Sequence, residues 1–378
     1  MPGDDEVAVH DDPMESLHSF DPTIDLAAIL DSHGVPADDI AAARAEGSRA
    51  LALLAMEHIL FPDRGRLTPA ELFERVETDS EAVRALWRAL GFAGLPEDQP
   101  ALYVDDLVAL QSAEQMLIDG TVDEETVFRE ARVIGRSMAR ITESYTSALM
   151  EQIEAARAVD PDLPGDGDLL VQAASQTAPL MEELVRYQFR RHLLDSFRRT
   201  LLGASDNESG TDHTVGFADI VGFTASVLVL SSVDLGRLVE RFEAMATDVV
   251  SRYDGRVVKS IGDEVMFVMP DAPTAAFVAL ELIDLSRSEL GADLRVALAR
   301  GPTLATQGDF YGSTVNRAAR LVGMAYPGTV LIDEAVASAL DEHRGRDFFT
   351  KRTSDHDLEG LGKVKSWVLR RWRARGDR

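Results

Sequence analysis

The chain has 378 residues, 45% of them apolar, no cysteine, and a formal net charge of −27. That length suits two domains, each able to bury a core of its own, and the lack of cysteine excludes disulfides, thiol catalysis and thiolate metal sites. The acidic balance argues against a nucleic-acid partner, because binding a phosphate backbone needs a basic surface, but not against a nucleotide, whose phosphates are neutralised locally.

Residues 1–20 are acidic and proline-punctuated, without periodicity, and are expected to be disordered or loosely docked. Helical periodicity starts near Ile24. Ile40 to Leu60 reads as one long helix, with Leu51, Leu54, Ala55 and Ile59 on one side and Pro62 stopping it. The most apolar stretch, Ala50 to Phe61, is interrupted by Glu57 and His58 and is too short to span a bilayer. With no basic segment leading into an apolar run at the start, the expected location is the cytoplasm. Thr68-Pro69-Ala70-Glu71 is a capping box ahead of Leu72, Phe73 and Val76. Ser80 is expected to cap a helix with Val83, Leu86, Trp87 and Leu90 on one face, ending at Gly91. Further helices are expected over 105–118 and 123–158, followed by an Asp/Pro/Gly loop at 159–167 and a last helix over 169–202. Residues 21–202 thus read as an all-helical domain and the polar run 203–213 as a linker. Short capped helices also suit a helix-turn-helix DNA reader, which the acidic balance disfavours.

Beyond the linker, residues 214–378 mix strands with helices. In Phe217-Ala218-Asp219-Ile220-Val221-Gly222-Phe223-Thr224 a strand from Thr214 stops at Asp219, and a tight turn leads into a helix beginning near Phe223. Free amides at a helix start favour phosphate, and a carboxylate beside them favours a hard cation such as Mg²⁺, which binds through one or two carboxylates plus substrate phosphates. Taken alone, this octapeptide is equally well a strand ending in a turn carboxylate. After a helix over 235–253, Arg256 to Val268 reads as a hairpin folded about Gly262-Asp263, with Lys259 four residues before Asp263. An alanine-rich helix (273–289) and a strand (294–299) precede a Gly-bounded loop carrying Asp309. The loop runs into a helix where Asn316 and Arg320 share one face. A strand at 329–333, a helix at 334–340 and a closing strand at 367–371 complete an α+β sheet with helices packed on it.

These three segments resemble, in order and spacing, the catalytic domain of class III nucleotide cyclases over residues 210–370. The resemblance implies a ferredoxin-like βαββαβ core. It also implies that Asp219 and Asp263 bind two divalent cations (Mg²⁺ or Mn²⁺), that Lys259 and Asp309 read the purine, and that Asn316 orients the ribose while Arg320 stabilises the reacting phosphate. An Asp at position 309 is the form associated with adenine, so the implied substrate is ATP and the product cyclic AMP; guanylyl cyclase activity and a nucleotide-binding module without turnover are the alternatives. The resemblance further implies a symmetric homodimer whose two sites are each shared between subunits. Leu86 to Phe92 and Tyr103 to Leu107 resemble the regulatory domain of mycobacterial soluble, acid-activated adenylyl cyclases, which implies pH control by the helical half. His192, among Arg190, Arg191, Arg198 and Arg199, is a candidate titrating group, equally readable as a plain surface residue. A fatty acid enclosed between the apolar helices is a second expected input. The basic tail Arg370 to Arg375 reads as a solvated terminus.

Overall fold

The structure, a computed structural model, describes residues 25–372 except 33, 63–65, 93, 95–99, 101, 121, 203–211, 224–230, 344–345, 359 and 361. The N-terminal 20 residues, most of the linker and the helix expected after Phe223 lie outside the described residues. The chain divides into two compact units, Met1–Ala204 and Ser205–Arg378. No helix among the described residues is long and apolar enough to cross a membrane.

The first unit is built from α1 (Leu26–Ser32), α2 (Ala37–Glu46), α3 (Ser48–Leu60), α4 (Pro69–Phe73), α5 (Ser80–Ala89), α6 (Val104–Ile118), α7 (Glu124–Val159) and α8 (Asp166–Leu202). It is not wholly helical, since β1 (Arg66–Leu67) pairs with β2 (Leu102–Tyr103). The single helix expected over 40–60 is broken at Gly47, whose φ of 121° belongs to a region open essentially to glycine alone. The capping box at Thr68 forms as expected. Asp79, not Ser80, caps α5, its carboxylate accepting from the Glu81 and Ala82 amides. Leu30, Ile40, Ala55 and Val171 form one small core, and Leu72, Val83, Leu102 and Leu107 another.

The second unit carries a seven-stranded sheet. Its strands are β3 (Asp212–Ile220), β4 (Arg256–Ile261), β5 (Glu264–Met269), β6 (Leu294–Pro302), β9 (Thr329–Asp333), β10 (Phe348–Arg352) and β13 (Ser366–Arg371), in the spatial order β10-β13-β9-β6-β3-β5-β4. Only β6 and β9 run parallel; every other neighbouring pair is antiparallel. With α9 (Ser232–Arg252) and α10 (Ala272–Leu285), the strands β6-β3-β5-β4 make the expected ferredoxin-like βαββαβ core. The hairpin β7 (Leu304–Thr306) and β8 (Asp309–Tyr311) precedes α11 (Ser313–Met324), and α12 (Glu334–Ala339) follows β9. A small hairpin, β11 (His356–Leu358) with β12 (Gly362–Val364), precedes β13; these two strands and β10 lack the alternation that makes a strand legible in sequence.

The sheet is buried on both faces. On one face Phe242, Phe267, Leu282, Val296, Ile332 and Phe348 pack between the strands and the helices α9, α10 and α12. On the other, α11 lies over Phe217, Met266, Ala297 and Leu331 through Ala318, Leu321 and Val322. Fully burying one such side chain stabilises by about 1.5–3 kcal/mol, so this double-sided core is ample for a rigid platform. The Phe267 ring lies across its register partner Gly216, where any Cβ would collide with it.

Candidate active site

A strand end and one short turn bring carboxylates to one end of the central strands. β3 continues one residue beyond Asp219, which therefore sits within the strand, not just past its end, in register with Glu264 of β5 on one side and Arg295 of β6 on the other. The two-residue turn Gly262-Asp263 uses a φ of 62° at the glycine, and the Ile220 amide donates to the Asp263 carbonyl at 3.1 Å, tying the turn to the end of β3. Asp219 is mostly buried and accepts a hydrogen bond from the Arg295 guanidinium. Burial raises its pKa; Arg295 opposes this, and the neighbouring Asp263 adds to the rise. Glu264 is pushed up to about 7, first by burial and then by the charges of Asp219 and Asp263.

The charge of Asp263 adds to the rise at Asp219, and the charges of Asp219 and Asp263 add to the rise at Glu264, a crowding whose cost a divalent cation would relieve. No group of three or more side chains is arranged to ligate a metal by itself among the described residues. Mg²⁺ typically binds through one or two carboxylates and completes its shell with phosphate and water.

The second pair forms across elements far apart in sequence. Lys259 Nζ lies 2.6 Å from Asp309 Oδ2, with the side chains 33% and 22% exposed. Asp309 opens strand β8, one side of a hairpin, and is not in an irregular loop as expected. The turn residues Gln307 and Gly308 both have positive φ, 53° and 77°, as a two-residue hairpin of the primed type requires. Burial works against the Asp309 carboxylate, but the bonds from Lys259 and from the Phe310 amide (2.7 Å) outweigh it and hold its pKa below the ordinary range. It is therefore a charged acceptor at neutral pH.

Asn316 and Arg320 stand one turn apart on the exposed face of α11. The opposite face fixes that helix. Thr314 Oγ1 donates to the Pro302 carbonyl at 2.9 Å, and Arg317 Nε lies 3.2 Å from the buried Asp333 carboxylate, an ion pair not aligned as a hydrogen bond. Asp333 also accepts from the Val336 and Arg300 amides, at 2.9 and 3.3 Å.

The six expected residues thus form three groups: the acidic end of β3 and the β4–β5 turn, the Lys259–Asp309 pair, and the outer face of α11. Sequence reasoning missed Glu264, Arg295 and the Arg317–Asp333 pair. Glu264 was adjacent to Asp263 and open to notice, whereas Arg295 and Asp333 reach the site only through strand register.

Residues 206–371 match the adenylate and guanylate cyclase catalytic domain, and residues 19–193 match the adenylate cyclase regulatory domain. An adenylate cyclase of Streptomyces coelicolor is 31% identical over 347 residues, spanning 84% of this chain and 89% of that protein. One of Streptomyces griseus is 34% identical over 289 residues, spanning 75% and 71%. A Mycobacterium tuberculosis protein named a pH-sensitive adenylate cyclase is 27% identical over 328 residues, spanning 84% and 82%. With both halves matched and the identity running across them, this chain belongs to the adenylate cyclase family, its class III catalytic domain preceded by the regulatory domain found in that family.

Proposed function

We propose that the chain converts ATP to 3′,5′-cyclic AMP and pyrophosphate at sites shared across a homodimer, under the control of its helical unit. The observation that carries the choice of purine is the Lys259–Asp309 contact. An ionised Asp309 accepts a hydrogen bond from the adenine amino group, while the guanine carbonyl at that position would need a donor. Lys259 holds Asp309 in place and donates to the ring.

In the reaction the ribose 3′-hydroxyl attacks the α-phosphorus, the new O–P bond forms as the bond to the β-phosphate oxygen breaks, and the hydroxyl proton leaves to solvent. Two divalent cations, Mg²⁺ or Mn²⁺, held by Asp219 and Asp263, would neutralise phosphate charge and acidify the hydroxyl. Asn316 orients the ribose so that the hydroxyl lies in line. Arg320 donates to the α-phosphate oxygens where charge grows, which favours the transition state over the bound substrate. Because Lys259, Asp309, Asn316 and Arg320 would come from one subunit and the carboxylates from the other, a monomer has no complete site.

For control, the likeness to a protein named pH-sensitive supports a pH response housed in the helical unit. A fatty acid is a second candidate input, supported by an apolar cavity of about 300 Å³ lined by Trp87, Phe92, Met116, Val127 and Ile134 among α5, α6 and α7. The deciding measurement is cyclic nucleotide formed by the full-length protein from ATP and from GTP, with Mg²⁺ and with Mn²⁺. Cyclic AMP should dominate; cyclic GMP as the main product, or no product with either metal, would overturn the proposal.

A further inference from the structure

Arg256 and Lys259 are three residues apart on β4, and in an uninterrupted strand they would point to opposite faces. They do not, because Val258 is an extra residue. Val257 pairs with Phe267 and Lys259 pairs with the next residue along β5, Met266, leaving Val258 as a bulge. Arg256 therefore stands opposite Val268 and Lys259 opposite Met266, two residues of the core face that α11 covers, while Val257 packs into the other face.

Both cations meet the β7–β8 hairpin on that face. Arg256 Nη2 donates to the Gly308 carbonyl at 2.8 Å, at the turn residue just before Asp309. Its guanidinium also lies over the Phe310 ring, 5.1 Å from the centroid, just after Asp309. Phe310 is only 7% exposed and meets the His213 ring edge-on at 5.3 Å, and His213 is itself hydrogen-bonded to Thr303 Oγ1 at 2.9 Å. Asp309 thus sits between two residues that Arg256 grips, while its carboxylate meets Lys259.

We infer that Arg256 is a positioning residue of the purine pocket, locking the β7–β8 hairpin so that Asp309 is presented against Lys259 for the base. This rests on the reading of Lys259 and Asp309 as the purine-recognising pair. Arg256 touches neither the base nor the reacting phosphate; it acts through Gly308 and Phe310. A loosened hairpin weakens base recognition and leaves the Asn316/Arg320 helix where it is, so the effect falls on KM and purine choice before kcat.

The test is steady-state kinetics of the full-length protein with ATP and GTP in R256A, R256K and D309A, alongside thermal unfolding. R256A should raise the KM for ATP roughly tenfold, the scale of one lost charge-assisted hydrogen bond, and should lower the ATP-over-GTP ratio while kcat changes much less. R256K keeps a cation over Phe310 and should fall between R256A and the parent. An R256A protein with the parent's KM and purine preference, or one whose loss lies in kcat with a lowered melting temperature, would overturn the inference. If R256A does not fold, R256K carries the test: an intermediate KM supports the inference and an unaltered one overturns it. D309A separates the two levels of argument. Unaltered purine preference in D309A overturns the purine reading itself, whereas altered D309A with unaltered R256A removes only the role of Arg256.

Discussion

Replacing Arg317 by Met probes how α11 is held. Asp333 is 1% exposed, and the Arg317 guanidinium at 3.2 Å is the cation that balances it. Removing one partner of a buried pair destabilises by about 3–5 kcal/mol. Here the carboxylate keeps two backbone amide donors, from Val336 and Arg300, and Arg317 is partly solvated at 29% side-chain exposure. The expected loss is accordingly about 2–3 kcal/mol, read as amide exchange in β9 and α11 that is roughly 30- to 150-fold faster. The sign of its pH dependence follows from burial, which raises the Asp333 pKa. A carboxyl that binds its proton more tightly when folded lends most stability in acid and loses it as pH rises through the folded pKa. Arg317 offsets that loss, so the deficit of R317M should be greatest at neutral pH and shrink on acidification as Asp333 takes up its proton. Adding Asp333→Asn, which keeps an acceptor for the α12 cap without the charge, should restore most of the protection. Exchange unchanged in R317M, or a deficit that grows toward acid, would refute this account of how Asn316 and Arg320 are held.

D219A and D263A should each abolish turnover, because substrate phosphate charge is then uncompensated. Mixing D263A with R320A should recover roughly a quarter of wild-type activity, since random pairing makes about half the dimers mixed and each has one intact site of two; heterodimers that form but stay inactive would rule out shared sites. Exchanging Lys259 and Asp309 for residues of reversed hydrogen-bonding character should sharply lower ATP use, measured as kcat/KM for ATP and GTP, and an unchanged preference would remove both from the pocket. Protein truncated to begin near residue 203 should still make cyclic AMP with a flatter pH profile; identical profiles across about pH 5 to 8 would exclude the helical unit as the pH-linked regulator.

The two acidic turns and the Asn316/Arg320 helix are legible in sequence because each is local: a glycine turn beside a carboxylate, or two residues one helical turn apart. The capping box at Thr68 is legible for the same reason. Pairings set by distant strands are not. Arg295 meets Asp219 only because β6 lies beside β3 in that register, and Asp333 meets Arg317 only once α11 has crossed back over the sheet. The bulge at Val258 is hidden more deeply, since Val257-Val258 reads as ordinary alternation until its partner strand shows one residue too few. Gly47 breaks a helix that apolar periodicity alone would continue, because periodicity does not register a residue whose φ leaves the helical region.

β4 is the terminal strand of the seven-stranded sheet among the described residues, the position at which an extended chain could add to a sheet. Such an edge invites strand addition and, in partly folded copies, the stacking that leads to aggregates. The extra residue at Val258 interrupts the even spacing that an incoming strand would need. The same insertion that turns two cations toward the β7–β8 hairpin thereby makes this edge a poor template for other chains.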